Sequence, residues 1–322
     1  MASPCIALKV DVDTFRGTRE GAPRLARLFE KHGCNATFLF SVGPDHTGRA
    51  VRRVIQGGFV GKVQRTSVVR HYGITTLLYG TLLPGPHIGR RAGEHMRAIA
   101  HSGFETGLHS YDHVRWQDGV ATEGRDWAWR ELARGVEAYV EALHSEPTIH
   151  GAAGWRVNPH VPQLEHEFGI RIASDTRGLT PFLPVVAGVT FDVPQMPTTL
   201  PTLDELIGRR NLQPAEPIEH LLSLTQRGSA DHVFTLHAEL EGGEWLDRFG
   251  ALLAGWRSQG YELVSLGEFA ARSQLLDLPC CEIVSGRLPG RSGRLAMQGA
   301  PVSPRHRAAS RPEDTEAARV IA

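Results

Sequence analysis

Short apolar runs alternate with amphipathic segments along most of the chain. The apolar run CIALKV is followed by a polar turn, then by APRLARLFEKHG, and then by a second apolar run, NATFLFSVG. Short apolar runs are typical of buried strands, whereas apolar residues that recur every three or four positions are typical of a helix with one buried face. The beginning of the chain therefore predicts a strand–helix–strand unit.

The same alternation returns farther along the chain. Helical patterns around EHMRAIAHSG, HVPQLEHEFG and IEHLLSLTQRGSADH each come before a short apolar run. Strands that alternate with helices and with glycine-containing turns indicate a parallel sheet that is covered by helices. We therefore expect an α/β fold, and a barrel is one form that such a sheet can take.

Length and charge narrow the class of protein only slightly. The chain has 322 residues, of which 41% are hydrophobic, so it can form one large α/β domain or two smaller ones. Lysine and arginine together number 35, as do aspartate and glutamate, so net charge favours neither nucleic acid nor an acidic partner.

The cysteines and the beginning of the chain bear on its location. No two of the four cysteines have the C-x-x-C spacing of a zinc site, and a reduced compartment is the simplest expectation. The segment MASPCIALKVDVD leads directly into a strand-like run and has neither the basic region nor the long apolar region of a signal peptide. The expected location is cytoplasmic, with at most peripheral contact to a membrane.

Two segments interrupt the strand–helix pattern. Residues 46–93 contain eight arginines or lysines and no acidic residue, with apolar residues between the charges. Such an insertion is either simply solvated or binds anionic lipid headgroups while its apolar side chains enter the interface; nucleic acid is disfavoured because aromatic residues are few. Residues 285–322 are rich in arginine, proline, glycine and alanine, which predicts a disordered tail after a catalytic domain over residues 1–284.

Candidate metal ligands follow two of the apolar runs. In LKVDVDTF, Asp11 and Asp13 are two residues apart, so a strand would direct both side chains to one side. In TGLHSYDH, His109 and His113 are four residues apart. The carboxyl ends of parallel strands form the edge where barrels carry their active sites, and one aspartate with two histidines can bind a divalent metal. The alternative for the aspartates is a pair that caps a turn.

Three other predicted strand ends carry polar residues. VFTLHAE contains His237, GAAGWRVN contains Arg156 and IASDTRG contains Asp175. A histidine beside a metal and an acyl group could protonate a leaving amine, although a single histidine at a strand end is often structural. An arginine beside a catalytic aspartate, or an aspartate beside a catalytic histidine, would orient that group.

In chain order, the aspartate pair, the H-S-x-x-H motif, the tryptophan–arginine turn, SDTRG and T-L-H resemble the motifs of the polysaccharide deacetylase (NodB homology) family. Members of that family remove acyl groups from amino sugars with a divalent metal. The chain departs from the family twice, because D-V-D replaces T-F-D-D and the tryptophan–arginine turn replaces R-x-P-Y. Together with SVGPD and QMPTTLPTLDELIG, the motifs are most similar to a branch that removes a formyl group from undecaprenyl-phosphate-linked 4-deoxy-4-formamido-L-arabinose during lipid A modification.

The resemblance covers roughly residues 5–270 and implies a distorted (β/α)7-type barrel. It also implies a role for each candidate residue. Asp11 becomes the general base and His237 the general acid, with Arg156 and Asp175 orienting the base and the acid. The metal ligands implied are Asp13, His109 and His113.

The resemblance implies a cofactor and partners as well. An aspartate with two histidines accepts zinc, manganese, cobalt or nickel. The partners would be a polyprenyl-phosphate-linked amino sugar and the anionic cytoplasmic surface of the inner membrane, the latter through residues 46–93. Three alternatives remain: a deacetylase of another amino sugar, a module that binds metal or sugar phosphate without turnover, and a glycosidase that uses Asp11 and Asp13. The glycosidase is disfavoured because two carboxylates so close on one strand cannot readily flank a glycosidic bond.

Overall fold

The computed structural model describes residues 3–50, 73–207, 216–226, 230–273, 277–291, 293–303 and 306–307. The strands within these ranges are β1 (Cys5–Val12), β2 (Thr37–Ser41), β3 (Glu105–Ser110), β4 (Ile149–His150), β5 (Ile172–Ala173), β6 (Leu183–Val186), β7 (Val189–Thr190), β8 (His232–His237), β9 (Glu262–Val264), β10 (Cys280–Gly286), β11 (Leu295–Pro301) and β12 (His306–Arg307).

Helices separate β1 to β5 from one another along the chain and also lie before and after β8. The α-helices are α1 (Ala22–His32), α2 (Ile74–Leu78), α3 (Ile88–His101), α4 (His113–Gly119), α5 (Arg125–Leu143), α6 (Val161–Glu167), α7 (Leu203–Ile207), α8 (Glu216–Thr225), α9 (Leu246–Ser258) and α10 (Leu266–Arg272). A π-helical turn spans Gly17–Gly21 and a 3₁₀ turn spans Ala153–Trp155. None of the helices in the described ranges combines the length and hydropathy that a membrane crossing requires.

The main sheet is parallel and curls into an incomplete barrel. Its strand order is β5–β4–β3–β2–β1–β8, and β9 also pairs with β1. Backbone hydrogen bonds from the segment 195–200 bridge the two ends of this order, because Met196 N donates to Ala173 O and Thr199 N donates to Val233 O. The prediction of an α/β fold with a distorted barrel is confirmed.

Alternation along β1 separates the outer core from the barrel interior. Its even-numbered residues belong to the large apolar cluster beneath the helices, whereas Cys5 and Ala7 belong to a smaller cluster inside the barrel. Because side chains of a strand alternate between its two faces, Lys9 and Asp11 also face the interior. The inward face of β1 is therefore apolar at the amino end and ionic toward the carboxyl end.

A second sheet corrects the prediction of a disordered tail from residue 285. Its strand order is β11–β10–β6–β7–β12, and β10 and β11 form an antiparallel hairpin. Leu295 and Ala296 in β11 are buried, and Ala296 O accepts a hydrogen bond from Arg177 N. The prediction is wrong for residues 285–291 and 293–303. The segment has too few apolar residues to show a periodic pattern in the sequence. Backbone pairing of β11 with β10 and with Arg177 nevertheless orders it. Residues 308–322 lie outside the described ranges.

The basic segment predicted as an insertion is shorter than residues 46–93. Helix α3 begins at Ile88 and packs Ile88 and Ala92 into the main core, so its first turns belong to the barrel. Residues 73–87, including α2, lie near the carboxyl edge of the sheet, where Asp45 N donates to Pro86 O. Residues 51–72, which carry five of the eight basic residues, lie outside the described ranges.

Candidate metal centre and acid–base pair

Three side chains converge at the carboxyl edge of the main sheet. Asp13 follows β1, His109 lies in β3, and His113 is the first residue of α4. Asp13 Oδ1 is 3.2 Å from His109 Nε2 and 3.3 Å from His113 Nε2. Asp13 Oδ1 is buried and accepts no hydrogen bond from the described part of the protein. A buried carboxylate oxygen facing two imidazole nitrogens is a set of atoms that can hold a cation.

The surrounding backbone orients one of the imidazoles. His109 Nδ1 is 2.6 Å from Gly151 O, and a carbonyl oxygen can only accept, so Nδ1 carries the proton. The lone pair of His109 therefore lies on Nε2, the atom that faces Asp13. A hydrogen bond from the second nitrogen of a metal-binding histidine to a carbonyl commonly sets both the tautomer and the ring orientation.

The protonation states in this group suit metal binding. Burial alone would raise the pKa of Asp13, but the neighbouring His113 and His109 outweigh it and hold that pKa well below its usual value. Burial lowers the pKa of His113. An ionised carboxylate binds a metal without first losing a proton, and a lowered pKa at His113 favours the neutral imidazole that a metal requires. The donor set fits zinc, manganese, cobalt or nickel and does not select among them.

Glu239 lies directly beneath the group and constrains Asp13. Its Oε1 accepts hydrogen bonds from Asp13 N at 3.1 Å and from Thr14 N at 2.9 Å. Burial, with the nearby charge of Asp13, raises the pKa of Glu239 to about 8. A Cβ at Gly17 would collide with the Glu239 carboxyl group, so a larger residue there would displace the carboxylate that holds Asp13 N and Thr14 N.

The predicted base and acid are neighbours on adjacent strands. Asp11 of β1 pairs in register with His237 of β8, and Ala238 N donates to Asp11 O at 2.9 Å. Residues in register on parallel strands project to the same face. Both side chains therefore lie on the barrel side, beside Asp13, His109 and His113. Asp11 Oδ1 is buried, accepts no hydrogen bond from the described residues, and is 3.9 Å from His109 Nδ1.

Lys9 is the cation beside Asp11. Its Nζ is 3.6 Å from Asp11 Oδ1 and donates a hydrogen bond of 2.7 Å to Ser174 O. The lysine is fully buried in the barrel, and its ammonium group lies 5.4 Å from the centroid of the Trp155 ring. Burial lowers the pKa of Lys9, whereas the charge of Asp11 opposes that shift.

Arg156 does not reach Asp11, which corrects the prediction that it orients the base. Its Nη1 donates to Gln117 O at 2.7 Å, and Gln117 Nε2 lies 3.5 Å from His113 Nε2. Trp155, the preceding residue, has a φ of 52°, and this left-handed backbone directs its ring into the barrel and the Arg156 side chain away from Asp11. Arg156 therefore lies near the candidate metal ligands, with Gln117 between it and His113.

Asp175 likewise does not pair with His237, which corrects its predicted role. Its Oδ1 accepts a hydrogen bond from Ala152 N at 2.6 Å and is 3.3 Å from His150 Nδ1, which is 2.6 Å from Glu165 Oε1. Burial alone would lower the pKa of His150, but Asp175 and Glu165 raise it to about 10. This fully buried cluster fixes the residues around Gly151, whose carbonyl oxygen orients His109.

The carboxylate that faces the His237 ring is Asp204, which the sequence did not single out, whereas Glu241 Oε2 accepts a hydrogen bond from His237 N at 2.9 Å. Asp204 Oδ1 is 3.7 Å from His237 Nδ1. Asp204 lies in α7, within the QMPTTLPTLDELIG stretch that contributed to the resemblance, so the motif signalled its segment but not its role. Lys9 was missed because a lysine within an apolar run gives no sign that it is buried.

The fold and the converging residues define a class of protein. Among solved structures, a Mycobacterium smegmatis protein assigned to the polysaccharide deacetylases shares the fold, with a TM-score of 0.62 and 18% sequence identity. The match covers 89% of this chain and 96% of that one. The fold is therefore that of the polysaccharide deacetylases.

Comparison with curated proteins identifies a family within that fold. A protein of Shewanella sediminis (strain HAW-EB3) is 32% identical over 298 residues, covering 92% of this chain and 96% of that protein. A protein of Wigglesworthia glossinidia brevipalpis is 30% identical over 284 residues, covering 88% and 98%. Both bear the name 4-deoxy-4-formamido-L-arabinose-phosphoundecaprenol deformylase ArnD. No family model matches the chain. The chain belongs to the ArnD deformylase family and is a hydrolase that acts on an amide bond.

Proposed function

We propose that the protein is a metal-dependent deformylase of undecaprenyl-phosphate-linked 4-deoxy-4-formamido-L-arabinose. It would release formate and the 4-amino sugar, as a step in the lipid A modification that gives polymyxin resistance. The observation that carries the proposal is the register of Asp11 with His237 beside the group formed by Asp13, His109 and His113. The substrate itself is taken from the names of the relatives.

The ligand group supports metal dependence. Asp13, His109 and His113 would hold a divalent metal, with His109 fixed by its hydrogen bond to Gly151 O. A divalent metal bound there would polarise the formyl oxygen and make an adjacent water more acidic. Three protein ligands leave coordination positions open for the substrate and water.

Asp11 is placed to act as the general base. Its Oδ1 has no hydrogen-bond partner among the described residues, so it can accept a proton from the attacking water. Lys9 Nζ lies 3.6 Å from the same Oδ1 and supplies a cation beside this carboxylate. The new bond joins the water oxygen to the formyl carbon.

His237 is placed to act as the general acid. Its Nδ1 faces Asp204, which leaves Nε2 to donate a proton to the sugar nitrogen as the C–N bond breaks. The nitrogen departs as the amine and the formyl carbon leaves in formate. The proton that Asp11 receives balances the one that His237 gives, so transfer between the two residues through solvent restores the site.

The first experiment is an assay of formate release from the lipid-linked formamido sugar in detergent micelles. The wild-type protein would be compared with a chelator-treated sample, with Asp11→Asn, and with Asp192→Asn as the matched control at an exposed position. We expect the chelator and Asp11→Asn each to reduce turnover by at least about 100-fold, and the control to retain it.

The same assay decides among the alternatives. Activity that survives complete metal removal would contradict the proposal. Release of acetate from acetylated amino sugars, without formate from the formamide, would support a deacetylase of another substrate. Binding of the lipid-linked sugar without turnover under any of the candidate metals would indicate a non-catalytic module.

We further propose that the segment 73–87, together with residues 46–50, faces an anionic membrane surface. Residues 46–93 carry eight basic residues and no acidic one. Within the described part, Ile74, Leu82 and Leu83 are exposed, at 68%, 80% and 41%. His46 Nδ1 is 2.6 Å from Asp112 Oδ2. Asp112 directly precedes His113, a proposed metal ligand, so this surface adjoins the site. Basic groups with exposed apolar side chains are the features that bind anionic lipid interfaces.

Flotation with anionic liposomes tests this surface. Replacing Ile74 and Leu82 by serine should reduce the bound fraction and leave formate release from detergent micelles unchanged. Leu179→Ser is the matched control, because Leu179 is 80% exposed outside this segment. Equal flotation of wild type and the double variant would contradict membrane docking by these residues.

A further inference from the structure

Arg291, in the loop between β10 and β11, reaches the carboxyl edge of the main sheet. Its Nη2 is 2.9 Å from Asp204 Oδ2, and its Nε donates to Glu205 Oε1 at 3.0 Å. The guanidinium also lies over the Trp155 ring, 4.6 Å from the centroid. One side chain from the second sheet thus contacts two acidic residues of α7 and an aromatic ring of the barrel.

Two of the groups that Arg291 touches flank His237. Asp204 Oδ1 lies 3.7 Å from His237 Nδ1, which is buried and makes no hydrogen bond within the described residues. The Trp155 ring meets the His237 ring edge-on, at 6.4 Å and 82°. Because Arg291 contacts both Asp204 and Trp155, its position limits where the His237 imidazole can lie.

The backbone of the hairpin is held close to α7. Gly290 has a φ of 89°, and a Cβ there would be 2.7 Å from Glu205 O. Glu205 Oε1 also accepts a hydrogen bond of 2.7 Å from Arg177, a residue whose backbone pairs with β11. The loop that carries Arg291 is therefore anchored to α7 in two ways. Its backbone at Gly290 lies against Glu205 O, and the Glu205 carboxylate accepts hydrogen bonds from both Arg177 and Arg291.

We propose that Arg291 is a positioning residue for the proton donor: it fixes Asp204 against His237 Nδ1, so that Nε2 faces the nitrogen of the scissile amide. The inference rests on the proposed function, in which His237 protonates the departing amine. It extends the active site to the C-terminal hairpin, a segment outside the motifs that carry the family resemblance.

The dependence of rate on the leaving group tests this role. An amine must be protonated as it leaves, whereas the nitrophenolate of 4-nitrophenyl formate leaves without a proton. We expect Arg291→Gln in the full-length, metal-loaded protein to lower kcat on the formamide by about 10-fold or more, and to lower hydrolysis of the ester by less than about 3-fold. Equal losses on both substrates would overturn the inference, because general damage to the site affects both.

A double-variant comparison tests whether Arg291 acts through Asp204. If it does, Arg291→Gln combined with Asp204→Asn should be no slower on the formamide than Asp204→Asn alone, because residues of one network are not additive. Multiplicative losses would overturn the inference.

Matched variants control for folding. Arg294, in the same hairpin, is hydrogen-bonded to Ser285 instead, and Arg294→Gln should retain the leaving-group preference of the wild type. Arg291→Lys keeps the positive charge and should recover part of the lost formamide rate; it carries the test if the glutamine variant does not fold. No hydrolysis of the formamide by wild type would refute the proposed function together with this inference, whereas an active wild type with equal losses in Arg291→Gln refutes the inference alone.

Discussion

Replacing Lys9 by methionine removes the only ammonium group that faces Asp11 within the described residues. Methionine has a similar length and flexibility, so it can fill the space within the barrel. Two interactions are lost: the ion pair with Asp11 at 3.6 Å and the hydrogen bond to Ser174 O at 2.7 Å. The Ser174 carbonyl is left without its donor, and Asp11, the proposed base, loses the cation beside it.

The expected magnitudes follow from these distances. At 3.6 Å and an effective dielectric constant of about 20, the attraction between Lys9 Nζ and Asp11 Oδ1 is about 4–5 kcal/mol. Much of it is offset by the cost of burying the ammonium group, which is also why burial lowers the pKa of Lys9. We therefore expect a loss of about 1–3 kcal/mol in the free energy of unfolding. We expect a fall of about 10- to 100-fold in kcat, which is about 1.4–2.7 kcal/mol of barrier.

Steady-state kinetics and metal titration check this prediction together. Because Asp13, His109 and His113 are untouched, the metal affinity of Lys9→Met should equal that of wild type, while kcat falls. Lys9→Arg should also lose activity, since the larger guanidinium does not fit a fully buried position beside Trp155. A methionine variant that turns over at the wild-type rate would refute the claim that Lys9 holds the base.

Other perturbations give distinct results. His113→Ala should weaken zinc binding by more than about 100-fold in calorimetric titration, because loss of a direct ligand exceeds the usual effect of an outer-shell partner; unchanged affinity would exclude the ligand set. Metal at about 100 times its dissociation constant should stabilise the wild type by about 2.7 kcal/mol over the chelated protein, measured by thermal melting, and the same shift in His113→Ala would contradict the site. His237→Gln should slow C–N cleavage by about 10²–10⁴-fold while metal binding persists. Because the pKa of His150 rises to about 10, the stability that it contributes is present below its unfolded pKa of about 6.5 and is lost as the pH rises through about 10. Wild type should therefore lose more stability than His150→Gln between about pH 7 and pH 10; parallel curves would show that His150 is not charged in the fold.

The barrel could be predicted from the sequence because its strands and helices leave strong periodic patterns. The second sheet could not: β7 and β12 have two residues each and β6 has four, too short to form a recognisable alternation. Its order comes from pairing between distant segments, as in the register of Cys280 with Leu183.

The candidate site was predictable to the extent that its residues occupy strand ends. Asp11, Asp13 and His109 could be placed together because parallel strands end at one edge. The partners of those residues could not be assigned, because each depends on which of several charged groups approaches in three dimensions. Lys9 rather than Arg156 reaches Asp11, the proposed base, and the direction of the Trp155 backbone decides between them.

The register of β1 with β8 fixes the spacing between the proposed base, Asp11, and the proposed acid, His237. This spacing is set by the hydrogen-bonded ladder between β1 and β8, adjacent strands about 4.8 Å apart, and a slip of one residue would turn His237 to the helix side. Substitutions around these two residues therefore cannot change the spacing between Asp11 and His237 gradually. Changes in acyl preference, in natural divergence or in engineering, should arise in the loops that present the substrate, with the catalytic spacing inherited unchanged.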